Sequence, residues 1–121
     1  MSRALTGACG FHAGLAAEAS VAAHYLREGL AVVARRWRGR AGEIDVIAQD
    51  GDELVFIEVK KSRDFASAAA HLGPRQIGRI LDAAAEFLGT QPLGQSTPVR
   101  FDVALVDRHG RIEVLENALG P

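Results

Sequence analysis

The sequence predicts an α/β domain in which a central mixed β-sheet is flanked by helices. Two segments carry apolar residues at helical spacing, and five short runs are β-rich and separated by Gly, Pro or Asp breaks. In chain order, these segments predict a helix, three strands, a second helix and two strands. The length of 121 residues is that of one ordinary domain, so residues 1–121 are expected to form one core.

The first helix is predicted over residues 10–28, after a loose tail at residues 1–9. Gly29 suits the end of this helix. Glu18 lies on its apolar stripe, where a carboxylate is unexpected unless the protein uses it. The residues of the stripe are Phe11, Leu15, Ala22, Tyr25 and Leu26.

The remaining elements follow from β-rich runs and turn residues. Pro74 suits the first position of the second helix, which runs to Gly89. The Ala-rich segment 64–73 is predicted to be a loop and residues 90–98 a linker. Strands are predicted at residues 30–37, 43–48, 54–60, 99–106 and 111–115.

The second and third strands carry the candidate chemistry. Residues two apart in a strand share a face, so Glu58 and Lys60 point the same way. A hairpin loop with an even number of residues places Asp45 on that same side. This register is favoured because it gathers the aliphatic residues on the opposite face, namely Ile44, Val46, Val55, Ile57 and Val59.

Two facing carboxylates repel each other, so Asp45 and Glu58 are not expected to face each other for stability alone. A divalent cation offsets the repulsion, and Mg²⁺ or Mn²⁺ prefers such oxygen ligands. A nearby lysine such as Lys60 can hold the attacking water or neutralise charge on a phosphate. Together these groups are what phosphodiester hydrolysis needs. An exposed hairpin with ordinary ion pairs is the alternative interpretation.

The formal net charge is −1, so any nucleic acid would be held by local basic patches. Protection of an edge strand explains the arginine run at residues 35–40 equally well. Glu43 is expected to pair with an arginine rather than to bind metal. The predicted phosphate-binding residues are Arg36, Arg38, Arg40, Lys61, Arg75 and Arg79.

Cys9 is the only cysteine, which fits a reducing cytoplasm and excludes a thiolate zinc site within one chain. No apolar run reaches the roughly 20 residues of a membrane span. A cytoplasmic protein that does not use a membrane is therefore expected.

An Asp, a hairpin and a Glu-x-Lys motif resemble the core of the restriction-endonuclease-like superfamily. Further motifs in the same order resemble the YraN-like family of small predicted endonucleases, which is similar in fold to archaeal Holliday-junction resolvases. The resemblance extends from about Phe11 to Ala118. Its motifs are Glu18, Trp37 and residues 42–45, 56–60, 75–76, 100–102 and 116–118.

The resemblance implies a restriction-endonuclease-like fold and a Mg²⁺- or Mn²⁺-dependent endonuclease acting on nucleic acid, with DNA favoured and both linear and branched or structured substrates left open. It implies Asp45, Glu58 and Lys60 as the metal-binding and catalytic set. Glu18 would complete the set as a third acid and metal ligand, and Gln76 would reach towards the site and belong to the nucleic-acid-binding residues. This chain departs from the family where Lys61 and Ser62 replace a threonine and an arginine, in the Ala-rich loop, and at Arg75, where lysine is commoner.

Two other functions fit the same residues. The chain would be a nucleic-acid-binding module if the fold were kept without useful catalysis. It would be an interaction protein if the charged hairpin were only a solvated surface. For the nuclease, a homodimer would be the simple route to cutting two strands.

Overall fold

The computed structural model describes the backbone of residues 2–119 and the side chains of residues 14–119. Its helices and strands follow the predicted order, with a short extra helix between the third and fourth strands. The elements are α1 (Ser2–Arg27), β1 (Ala31–Arg38), β2 (Glu43–Asp50), β3 (Glu53–Lys61), α2 (Phe65–Ala70), α3 (Pro74–Leu88), a 3₁₀ turn (Gly94–Ser96), β4 (Val99–Val106) and β5 (Ile112–Leu115).

The strands form one mixed sheet in the order β1-β2-β3-β4-β5. Only β3 and β4 pair in parallel, whereas the other neighbours are antiparallel. Parallel strands need a crossover connection, and α2 and α3 supply it here. The predicted mixed sheet with flanking helices is therefore confirmed.

Helices cover both faces of the sheet. On one face, α1 packs Val21 and Tyr25 against Val46 and Ile57. On the other, α3 packs its own buried residues against strand residues such as Phe56. Burial on both faces explains why β2 and β3 are so aliphatic. Among the described residues, no helix combines the length and apolarity needed to cross a membrane.

The β2–β3 hairpin has the predicted even register. Asp50 pairs with Glu53, which leaves Gly51 and Asp52 as the loop, and Gly51 adopts a φ of 61°. Glycine accepts such a left-handed conformation at little cost, which is why the turn forms there. The last paired residues of this ladder are Val46 and Ile57, so the next positions along it are Asp45 and Glu58.

One residue of the predicted aliphatic face lies on the other side of the sheet. Ile44 is buried with the α3 cluster, whereas Val46 belongs to the α1 cluster. The alternation is interrupted where the neighbouring strand carries Arg36, whose φ is 51°. A left-handed residue disturbs the regular pleat of a strand, and Arg36 lies across from Asp45, between Ile44 and Val46.

Other sequence predictions need correction at element boundaries. The helix predicted from residue 10 begins at Ser2, so the predicted tail at residues 2–9 is helical backbone. Leu26, assigned to the apolar stripe, is exposed. The predicted loop 64–73 contains α2, which Asp64 caps by accepting a hydrogen bond from the Ser67 N–H at 2.8 Å. That cap satisfies a backbone donor at the start of the helix.

We expect Gly39→Ala to destabilise the fold by about 1–3 kcal/mol. An added Cβ would stand 2.5 Å from Glu86 Oε1 and 2.8 Å from Trp37 Cη2. The Glu86 oxygen already accepts from the Arg40 N–H at 2.8 Å, so it holds this turn against α3. Urea unfolding would measure the loss.

The matched control for this change is Gly78→Ala in α3, where nothing lies within 4 Å of the new methyl group. It is expected to stabilise the protein by about 0.5–1 kcal/mol, because alanine favours helix over glycine. Equal effects at Gly39 and Gly78 would contradict the close approach at Gly39.

Candidate metal and nucleic-acid site

Asp45, Glu58 and Lys60 come together at the ends of β2 and β3. Asp45 is close enough to Glu58 to raise the pKa of its carboxyl group, and the Lys60 Nζ lies 3.7 Å from Glu58 Oε2. The Val59 N–H donates to Asp45 Oδ2 at 2.8 Å. Gln76 of α3 donates from Nε2 to Glu58 Oε2 at 2.6 Å. The structure therefore brings Asp45, Glu58, Lys60 and Gln76 together, and their metal-binding and catalytic roles stay predictions.

Glu58 is a buried carboxyl group in an unfavourable electrostatic setting. Burial raises its pKa first, and the hydrogen bond and charge of Asp45 raise it further. Lys60 and Gln76 act in the opposite direction, but they do not cancel the increase. Burial penalises the charged form of a carboxyl group, and a second carboxylate adds repulsion. A cation beside Glu58 would offset this repulsion.

Glu18 is buried on α1 and approaches the site from the other face of the sheet. Its Oε1 accepts no hydrogen bond from any described residue. Arg35 Nε lies 3.6 Å from Oε1, and Arg36 Nε lies 4.0 Å from Oε2. Burial raises the pKa of Glu18, Asp45 raises it further, and the two arginines lower it. A buried carboxylate oxygen without a hydrogen bond is costly unless something else satisfies it.

Two cavities meet at Asp45. The cavity on the α1 side has a volume of about 300 Å³ and is lined by Glu18, Arg36, Glu43, Asp45 and Lys61, among others. The cavity on the α3 side has a volume of about 260 Å³, and Glu43 and Asp45 line it as well. Glu58, Gln76 and Arg79 complete its polar wall. Asp45 therefore lies between Glu18 and Glu58. A ligand bound at Asp45 would be accessible from both cavities.

Three of the six predicted phosphate-binding residues line these cavities. Arg36 and Lys61 line the α1-side cavity, and Arg79 lines the α3-side cavity. Arg38 donates to Glu43 at 3.1 Å, which confirms Glu43 as an arginine partner. Arg40 and Arg75 line neither cavity. Arg40 is exposed on the turn between β1 and β2, and Arg75 is exposed on the first turn of α3.

The residues present fit a divalent cation in chemistry, because oxygen ligands from carboxylates suit Mg²⁺ and Mn²⁺. The orphaned Glu18 Oε1 and the repelling pair of Asp45 and Glu58 would both gain from such a charge. Within residues 14–119, however, no three His, Cys, Asp or Glu side chains already converge as a metal-binding group. Asp45 with Glu58, and Asp45 beside Glu18, are separate halves of the predicted set.

Sequence reasoning missed two features around this site. Arg35 lies nearer to Glu18 than Arg36 does. Of these two arginines, only Arg36 is among the predicted phosphate-binding residues. Asp102 is fully buried and accepts hydrogen bonds from Tyr25 and Arg100. A charged residue inside the apolar run of β4 was the available signal, because an aspartate is almost never fully buried without partners.

Residues 17–106 match the family described as uncharacterised protein family UPF0102. A UPF0102 protein of Ruegeria pomeroyi is 64% identical over 108 residues, covering 89% of this chain and 88% of that protein. Another, from Cereibacter sphaeroides, is 59% identical and covers 94% and 97% of the two chains. A third, from Roseobacter denitrificans, is 47% identical and covers 98% and 92%. The chain therefore belongs to the UPF0102 family, the YraN-like family that its motifs resemble.

Proposed function

We propose that this protein is a metal-dependent endonuclease with a restriction-endonuclease-like fold that hydrolyses phosphodiester bonds in nucleic acid. One observation carries the proposal. The buried Glu58 carboxyl group lies beside Lys60 and the half-buried Asp45, and the two acids line cavities that also contain arginine and lysine. A buried group with a raised pKa in a cavity, as Glu58 is, marks a candidate functional site.

In this proposal, Asp45 and Glu58 hold Mg²⁺ or Mn²⁺, and Glu18 supports it from α1. When bound, the ion lowers the pKa of a coordinated water and polarises a phosphoryl oxygen. The Val59 N–H fixes Asp45, and Gln76 fixes Glu58, so both carboxylates are held before substrate arrives. Such preorganisation avoids reorganising the site during the reaction.

Lys60 has a different task from the acids. Its ammonium group lies beside Glu58 and is half-buried, so it can hold the attacking water or offset charge that develops on the phosphate. Arg36 and Lys61 on one side of Asp45, and Arg79 on the other, would bind the flanking phosphates. Contacts of this kind position a backbone without reading its sequence. DNA with branches or other structural features is the favoured substrate, and a homodimer would supply two sites.

A nucleic-acid-binding module without catalysis is the second candidate. It is favoured by one observation, that no three potential ligands in residues 14–119 converge as a ready metal group. Such a module would bind nucleic acid in a salt-sensitive way with or without divalent cations.

The test is cleavage of labelled single strands, duplexes, flaps, nicked duplexes and four-way junctions with Mg²⁺, Mn²⁺ or EDTA. We expect metal-dependent cutting that falls by about 10²-fold or more in Asp45→Asn and in Lys60→Ala, because each variant removes a group that acts on the reacting phosphate. Circular dichroism would establish that both variants are folded. Salt-sensitive binding without cutting, unchanged by either substitution, would instead identify the binding module.

A further inference from the structure

Arg36 occupies an unusual backbone position next to the acids. It is one of two described non-glycine residues with positive φ, at 51°. Its neighbours Arg35 and Trp37 pair with Val46 and Ile44, so Arg36 lies across from Asp45. Left-handed backbone costs an ordinary residue roughly 1–2 kcal/mol, so the surrounding structure must hold it there.

The position of the Arg36 side chain explains what this conformation achieves. In a regular strand, Arg36 would share the face of Ala34, which packs in the α3 cluster. Instead its Nε lies 4.0 Å from Glu18 Oε2 and 3.7 Å from Glu43 Oε1, on the α1 side. Arg36 therefore places a cation in the acidic cavity, where it offsets the charge of the carboxylates around Asp45.

A guanidinium ion and a divalent cation cannot both be the main counter-charge of the same carboxylates, because like charges at this distance repel. Arg36 retains 38% exposure of its side chain, so a turn towards solvent stays open to it. A guanidinium ion also matches the geometry of a phosphate, which a substrate would bring to this cavity.

We propose that Arg36, together with Arg35 beside Glu18, is a resident counter-cation of the α1-side cavity and that Arg36 exchanges Glu18 and Glu43 for a substrate phosphate when a divalent cation binds. This inference rests on the proposed nuclease function. It makes metal and nucleic acid reinforce each other, because the metal releases the arginine that the nucleic acid uses. Linkage requires that the coupling be the same in both directions.

The first test is calorimetric titration with Mn²⁺ of wild type and Arg36→Gln. Arg36→Gln should bind Mn²⁺ roughly three- to tenfold more tightly than wild type does, because it lacks the competing positive charge. The matched control is Arg38→Gln, which removes another arginine partner of Glu43 from outside the cavity wall. It should change Mn²⁺ affinity by no more than about twofold. Arg36→Asn repeats the charge removal with a residue that tolerates left-handed backbone, in case Arg36→Gln folds poorly.

The second test measures binding of a fluorescein-labelled DNA duplex in the Lys60→Ala background, with Mn²⁺ or EDTA. Mn²⁺ should tighten DNA binding in this background, and adding Arg36→Gln should remove most of that effect. If wild type binds Mn²⁺ and neither Arg36 variant binds it more tightly, the exchange is overturned while the nuclease proposal stands. If no protein in the series binds Mn²⁺, both proposals fall. If the Arg36 variants bind Mn²⁺ and wild type does not, the result supports the exchange.

Discussion

Glu58→Gln is expected to make the metal-free protein more stable and to abolish cleavage. The wild-type carboxyl group is buried, and its pKa is raised by burial and by Asp45. Glutamine keeps an oxygen for the Gln76 amide while removing the charge that burial and Asp45 oppose. We expect a gain of about 1–2 kcal/mol in EDTA at neutral pH and a loss of cleavage of about 10²-fold or more.

The sign of the pH dependence follows from the raised pKa of Glu58. Between its ordinary value of 4.5 and the raised value, the folded state binds more protons than the unfolded state. The stability contributed by this group is therefore fully present below about pH 4.5 and is lost as pH rises through the folded-state pKa. Wild type should lose more stability than Glu58→Gln between about pH 5 and about pH 8. The pKa of Glu18 is also raised, so Glu18 contributes a pH dependence of stability of the same sign to wild type and to Glu58→Gln.

Urea unfolding in EDTA at several pH values, repeated with Mg²⁺, measures both effects. A cation that binds only the folded state must stabilise wild type, and this gain should shrink in Glu58→Gln. The control is Glu53→Gln on the same strand, whose carboxylate lies 3.4 Å from Arg100 and should lose no more than about 1 kcal/mol. If Glu58→Gln destabilises the metal-free protein as Glu53→Gln does, the buried Glu58 carboxyl group is not under electrostatic stress.

The hairpin at the centre of the site was predictable because two local signals agree there. Aliphatic alternation requires an even register, and Asp50 with Gly51 supplies the turn. The reversal between Ile44 and Val46 was not predictable, because it depends on left-handed backbone at Arg36, which arginine rarely adopts. Local patterns therefore brought Asp45, Glu58 and Lys60 together but did not place the arginines around them.

Helix α2 and the side of the sheet taken by Glu18 depend on tertiary contacts. A six-residue helix is not stable alone, and α2 gains from burying Ala68 against Val103 and Leu105 of β4. Glu18 was recognised as a misplaced acid on an apolar stripe, yet its approach to Asp45 depends on how α1 is rotated on the sheet. That rotation is restrained by a hydrogen bond between residues 77 apart in sequence, Tyr25 and Asp102.

Asp102→Ala should therefore cause the largest loss of stability, about 3–5 kcal/mol. Asp102 is fully buried, and it accepts from the Tyr25 hydroxyl at 2.8 Å, from Arg100 at 3.0 and 3.2 Å, and from the Asn117 N–H at 2.9 Å. Alanine would leave the Tyr25 hydroxyl buried without this acceptor, whereas Arg100 would keep its hydrogen bond to Glu53. Such a loss is a large fraction of the roughly 5–15 kcal/mol that stabilises a domain.

Tyr25→Phe separates this anchor from simple packing, because it keeps the ring and removes one donor. It should cost about 1 kcal/mol, and the double variant should be little worse than Asp102→Ala, since both remove the same hydrogen bond. Tyr25 lies about two helical turns after Glu18, so a folded Tyr25→Phe protein should also bind Mn²⁺ more weakly if the anchor sets the rotation of α1. Urea unfolding and calorimetry measure the two effects. A cost below about 1 kcal/mol for Asp102→Ala would mean that apolar packing alone positions α1, and Glu18 with it.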